Sequence, residues 1–227
     1  MSTENEGLRT LVSVGAETFG DLRGIQEKII VQAKRILMNR REYQWSLQGF
    51  GVLRTYISED VHLHVWDARF RVSNVSDIHT HPWDFTSFVI AGRLSNRLYV
   101  EGPPSPVCLP HMTKEILCGP IEDEKVRVAQ FRDPGKMIHL GHVSLSSGTS
   151  DGIYEAGTCY SQKAEEIHRT SCIAGTVTVV HRTFREDREH AKVFWPVGQG
   201  WISAEPRRAT EREVDEICEH SLKHWFR

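Results

Sequence analysis

The chain contains no apolar run long enough to cross a bilayer, no CxxC pair and no surplus of either charge. A helical membrane span is therefore not expected. With 28 Lys and Arg against 30 Asp and Glu, the net charge of -2 gives no broad basic field for nucleic acid and no anionic block. Neither nucleic acid nor a membrane is an expected partner. The five cysteines, Cys108, Cys118, Cys159, Cys172 and Cys218, are odd in number and scattered, so a zinc ribbon, a redox pair and a disulfide framework are all unsupported. They fit a reducing compartment. The opening MSTENEGLRT lacks the basic-then-apolar order of a secretion signal, and cytoplasmic residence is the expectation.

Against these absences stand 12 histidines in 227 residues, a length that can bury a self-sufficient core. The stretch IHTHPWDFTSFVIAG, from Ile78 to Gly92, carries two of them. His79 and His81 are two apart, so on a strand both imidazoles leave one face, as a metal taking two ligands from one element requires. The same alternation places Trp83, Phe85, Ser87 and Val89 on that side, with Pro82 able to bend the strand and shift the phase. A lone HxH pair is also an ordinary feature of partly buried strands.

The spacing of further residues resembles the cupin family. Its first motif runs glycine, five residues, HxH, three or four residues, glutamate, six residues, glycine; here the closing glycine falls on Gly92, while Ser73 and Phe85 replace the opening glycine and the glutamate. Its second runs glycine, five residues, PxG, two residues, histidine, three residues, asparagine. With the histidine on His168 the first glycine falls on Gly157, and Lys163, Glu165 and Cys172 replace the other three. The resemblance covers Gly51 to Arg182. It implies an all-β core, a double-stranded β-helix or jelly-roll barrel, in a single domain over 19–227 behind a flexible leader at 1–18. It implies a metal held by His79, His81 and His168, with Trp83 and Phe85 lining the pocket. Cupins without the glutamate include the thiol dioxygenases, such as cysteine dioxygenase, and acetylacetone-type dioxygenases. The expected ion is Fe(II), ahead of Zn, Ni, Mn or Cu. Isomerase, lyase and binding-only roles stay open on the same fold, and a homodimer paired through sheet edges is the expected assembly.

In chain order, 19–41 reads as an amphipathic helix, with Leu22, Ile25, Ile29, Val31, Ala33, Ile36 and Leu37 apolar and Asp21 as a cap. The barrel is expected over about 51–200. Val52 to Ile57 and Val61 to Phe70 alternate as strands, the second setting His62, His64 and Trp66 against Val61, Leu63 and Val65. No third ligand is in register with His62 and His64, so they are exposed or pocket-lining. If their face looks inward they become substrate contacts or a base. Arg97 and Tyr99 alternate on the next strand and either look into the barrel, holding a carboxylate and a bound oxygen, or sit on the surface. The long inter-motif segment 93–156 is the candidate lid, with a solvent-facing excursion or a dimer arm as equal alternatives. Its Glu101 to Pro110 is too proline-rich for regular structure, Glu122 to Phe131 resembles a strand, and Ile138 to Tyr154, with His139 and His142, looks loop-rich. Gly175 marks a hairpin turn before the strand Thr176 to His181. After the charged run Arg185 to His190, Val193 to Trp201 suggests an aromatic turn. Thr210 and Glu213 form a capping box for a helix over 210–225. Asp84, next to the motif, could supply a carboxylate if Pro82 rotates the strand.

Overall fold

The computed structural model describes residues 22–72, 77–104, 124–133, 136–184, 191–196 and 206–226. The leader 1–18, Asp21, Ser73, the run 185–190 and 197–205 lie outside them, as do the side chains of His139 and His142. Helix α1 (Leu22–Met38) is followed by a 3₁₀ turn (Arg40–Glu42). The first strands are β1 (Trp45–Gln48), β2 (Phe50–Tyr56), β3 (Val61–Arg71), β4 (Ile78–His79), β5 (Trp83–Ala91) and β6 (Arg93–Pro104). Then come β7 (Glu124–Asp133), β8 (Lys136–Glu155), β9 (Cys159–Gln162), β10 (Ile167–Cys172), β11 (Thr176–Phe184), β12 (Lys192–Pro196), β13 (Arg207–Arg208) and helix α2 (Glu211–Trp225).

All pairing among the described strands is antiparallel. Seven strands form one sheet in the order β13-β1-β2-β3-β11-β5-β9, and β10-β4-β12-β7-β8-β6 closes into a ring. The main core lies between the sheet and the two helices. Val61, Leu63 and Val65 of β3, Val177 and Val179 of β11, and Phe88 and Ile90 of β5 meet Ile29, Ala33, Ile36 and Leu37 of α1 and Val214, Ile217 and Cys218 of α2. Their spacing of two on strands and three or four on helices is what puts them on the facing sides. A second, smaller core of Ile78, Val143, Leu145, Ile167 and Phe194 joins strands of the ring, with Tyr99 packed against it. The capping box at Thr210 and Glu213 is made as the sequence requires.

Several expectations are corrected. Val31, read as apolar face, is 66% exposed, and Ile30 packs on the core instead. Short β1 and β13 pair at one edge of the sheet, Ser46 opposite Arg208 and Leu47 opposite Arg207. Strand β6 runs through Glu101 to Pro104 despite the prolines. Beyond Tyr99 it no longer pairs with β10, so the missing N–H groups remove nothing from a ladder on that side. The loop-rich stretch is instead the 20-residue β8, sustained by β6 on one side and β7 on the other. Its small polar residues cost propensity but not pairing, and its register shifts opposite Arg97 and Tyr99. The described parts of the supposed lid are thus strands of the ring. Gly175 does make a turn, with its N–H donating to Trp66 O at 2.7 Å, but not a hairpin. It carries the chain from β10 in the ring to β11 in the sheet. Lys192 to Pro196 is a strand paired with β7, and the rest of the expected aromatic turn, 197–201, lies outside the described residues.

Candidate metal centre

His79 and His81 do not share a strand. Strand β4 ends at His79 in the ring, and Thr80 to Pro82 cross to β5 in the sheet. Pro82 is the cause, since a residue without an N–H cannot continue a paired strand on both sides. The three rings converge nonetheless, and register brings in the third: His168 on β10 sits directly opposite His79 on β4. One ligand atom from each of His79, His81 and His168 lies within 4.8 Å of the others. Among the described residues these three form the single cluster of metal-ligating side chains of this kind, and no carboxylate belongs to it.

The rings are aimed by their surroundings. His79 Nδ1 donates to Asp77 O at 3.1 Å and His168 Nδ1 to Glu166 O at 3.3 Å, which leaves each Nε2 lone pair for the shared point. Glu166 O also accepts from Gln162 Nε2. Gln162 in turn accepts from Asn96 Nδ2 at 2.7 Å, and Thr170 donates to Asn96, so a buried and paired polar network backs His168. Burial holds all three imidazoles below the usual histidine range, and neighbouring histidines push His81 and His168 further down. They are therefore neutral, the form in which imidazole ligates a metal. Three neutral nitrogen donors converging on one point fit a divalent transition ion.

The two spacing glycines have backbone reasons. Gly92 has φ +83, and a Cβ there would come within 2.9 Å of Thr176 Cα; Gly157 has φ +88. Both conformations disfavour any residue with a side chain. The turn before β10 forms without proline or glycine because two carboxylates satisfy it. Lys163 N–H donates to Glu166 Oε2 at 2.7 Å, and Ala164 N–H to Asp84 Oδ1 at 2.8 Å. Asp84 also takes Lys163 Nζ at 3.0 Å. Its carboxylate braces this turn and is not a member of the metal cluster, correcting the alternative in which it serves the site.

Trp83 and Phe85 stand beside the trio. Trp83 stacks on His81 with centroids 5.4 Å apart, and Phe85 is 5.2 Å from His81 and 6.0 Å from His168. Arg97 does not look inward. It is exposed and forked onto Asp151, with Nε to Oδ1 2.5 Å and Nη2 to Oδ2 2.8 Å, and Tyr99 packs on the small core of the ring. The parity of β6 explains both: Leu98, between them, is the residue opposite His168.

The face of β3 bearing His62, His64 and Trp66 turns away from the helices, and Trp66 stacks near Phe50, which stacks on His79. Sequence reasoning did not single out two further residues on that face, Arg54 and Arg182. Arg54 is opposite His64, and Arg182 is opposite Phe85. Their signal was a charged residue at every-second-position spacing in a strand whose other face is apolar. The described cysteines are free thiols pushed above their ordinary value by burial, so none offers a ready thiolate. A separate cleft lined by Tyr43, Trp45, Arg208 and Val214 holds no such cluster. Compared with protein-family models and with curated proteins, the chain matches none. No helix among the described residues is long and apolar enough to cross a membrane.

Proposed function

We propose that this chain is a metal-dependent cupin that holds one divalent ion, Fe(II) ahead of Zn, Ni, Mn or Cu, on His79, His81 and His168. Its reaction is a dioxygenation of a small chelating molecule such as a thiol or a diketone. The observation that carries the reading is the convergence of three neutral imidazoles, from segments far apart in sequence, to within 4.8 Å. The left-handed glycines at both motif positions and the antiparallel crossing between two β layers support the jelly-roll part of the proposal.

When bound, such an ion supplies a Lewis-acidic, redox-capable centre with positions left open for a chelating substrate and dioxygen. The chain's residues do the positioning. Asp77 O and Glu166 O set the tautomers of His79 and His168, while Trp83 and Phe85 wall the centre with apolar surface that limits water. With no carboxylate in the ligand set, charge balance falls to the substrate. The competing isomerase or lyase reading needs a histidine base. Burial, then His64, Arg182 and Arg54, lower His62 to about 2, and burial with Arg54 and Arg182 lowers His64 to about 3, which makes both weak bases at neutral pH.

Elemental analysis of freshly purified protein, paired with dioxygen uptake on adding Fe(II) and a panel of thiols and diketones, tests the proposal. Stoichiometric metal and substrate-dependent uptake are expected. Equal product formation with and without air would end the oxygenase reading, and protein that retains no metal would end the centre itself.

A further inference from the structure

On the face of the sheet turned away from the helices, four basic side chains, His62 and Arg182 buried and Arg54 and His64 half-buried, each carry a buried nitrogen with no hydrogen-bond partner among the described residues: Arg54 Nε, Arg182 Nε, His62 Nε2 and His64 Nε2. Strand pairing gathers them on one face. Arg54 is opposite His64, Tyr56 is opposite His62, and Val180, two residues before Arg182, is also opposite His62. Both guanidinium groups lie over the Tyr56 ring, Arg54 at 5.4 Å and Arg182 at 5.8 Å, so the two cations are held near each other.

Arg182 is only 9% exposed and is fixed at its other end, where Nη2 donates to Glu59 O at 2.6 Å. Its guanidinium lies 4.8 Å over Trp83, the ring that stacks on His81, so it stands one aromatic ring away from the metal centre. Glu59 and Asp60 act on Arg182, whereas the charges that bear on His62 and His64 are all positive. A buried guanidinium N–H without an acceptor is costly, and two neighbouring cations repel. An acceptor carrying negative charge removes both penalties, and the planar fork of arginine matches a carboxylate or a phosphate.

We infer that Arg54 and Arg182, assisted by His62 and His64, bind an anionic group, carboxylate or phosphate, on the small molecule whose other end reaches the histidine trio. Naming that molecule the substrate rests on the metal-centre proposal; the anion subsite does not.

The test titrates the metal-free 227-residue chain with sodium acetate at constant ionic strength, following arginine Nε–H resonances by NMR. The Arg54 and Arg182 signals should shift saturably with acetate and stay still with acetamide, and Arg54→Gln should weaken acetate binding at least ten-fold. Inorganic phosphate run in parallel separates the sources: tighter binding than acetate assigns a phosphate-bearing ligand, weaker binding a carboxylate. Signals unmoved by both anions, or moved as far by acetamide, overturn the subsite whatever the variants do. His168→Ala should lose metal and keep the acetate response. Failure of the unsubstituted chain to take up metal, with its acetate response intact, would retire the centre alone.

Discussion

Asp84→Ala offers a sharp check on how the site is braced. Its Oδ1 accepts the Ala164 N–H at 2.8 Å, its Oδ2 takes Lys163 Nζ at 3.0 Å, and Ala164 O receives the His81 N–H at 3.2 Å. One carboxylate thus ties the crossing that bears His81 to the turn that leads into His168. A hydrogen bond to a charged acceptor is worth about 1.5–3 kcal/mol. The pair with the mostly exposed Lys163 adds at most about 1 kcal/mol after solvent screening. Asp84→Ala should therefore destabilise the metal-free protein by about 2–3 kcal/mol, a loss of roughly 5–10 °C in Tm for a chain of this size. Asp84→Asn keeps an acceptor for Ala164 and should lose only about 1 kcal/mol. Urea denaturation of the three proteins without metal, followed by metal titration of each, reads both effects. A stable Asp84→Ala variant that has lost its metal would place the carboxylate on the ion and refute the bracing role.

His168→Ala should strip most of the bound metal, measured by elemental analysis, whereas Arg97→Ala, on the outer surface, should leave occupancy unchanged. Phe85→Glu introduces a carboxylate beside two of the histidines. It should destabilise the metal-free protein by about 1–3 kcal/mol through burial of a polar group and shift metal preference; unchanged metal binding would mean position 85 does not face the ion. Gly92→Ala meets both a positive φ and the Thr176 backbone, so it should cost more, about 2–4 kcal/mol, than Gly157→Ala, which has a positive φ but open space around it. Equal losses in chemical denaturation would show that the close approach at Thr176 is unimportant. For pH, the folded-state values of His62 and His64 lie far below their unfolded value of 6.5, at about 2 and about 3. Their contribution to stability is complete above pH 6.5 and is lost as pH falls below it, by up to about 1.4 kcal/mol per pH unit for each histidine. Metal-free protein should unfold at lower urea at pH 5.5 than at pH 7.5, and His62→Gln should reduce that dependence while His64 and the buried trio keep the remainder.

The histidine trio was legible because its spacing repeats a pattern, and the cap at Thr210 because its side chains act locally. Period-two alternation also found the main core, since β3 and β11 bury apolar residues on one face and helices cover it. What stayed hidden depended on strand neighbours distant in sequence. The inward look of Arg54 and Arg182 follows from pairing with His64 and Phe85, and the outward look of Arg97 from the pairing of Leu98 with His168. The stretch from Ile138 to Tyr154 has the composition of a loop and becomes a strand only because two long neighbours supply its hydrogen bonds. Pro82 was recognised as a disturbance, but its effect is larger than a bend: it moves the chain from one layer to the other.

That transfer between layers has a mechanical consequence. His79 and His168 belong to the ring, and His81 hangs from the three-residue bridge into the larger sheet, so an ion gripped by all three would act as a rivet through both. Sliding one layer past the other would pull His81 away from its companions, so the ion would add a further tie to the Asn96–Gln162 and Asp84–Ala164 bonds that already join ring and sheet.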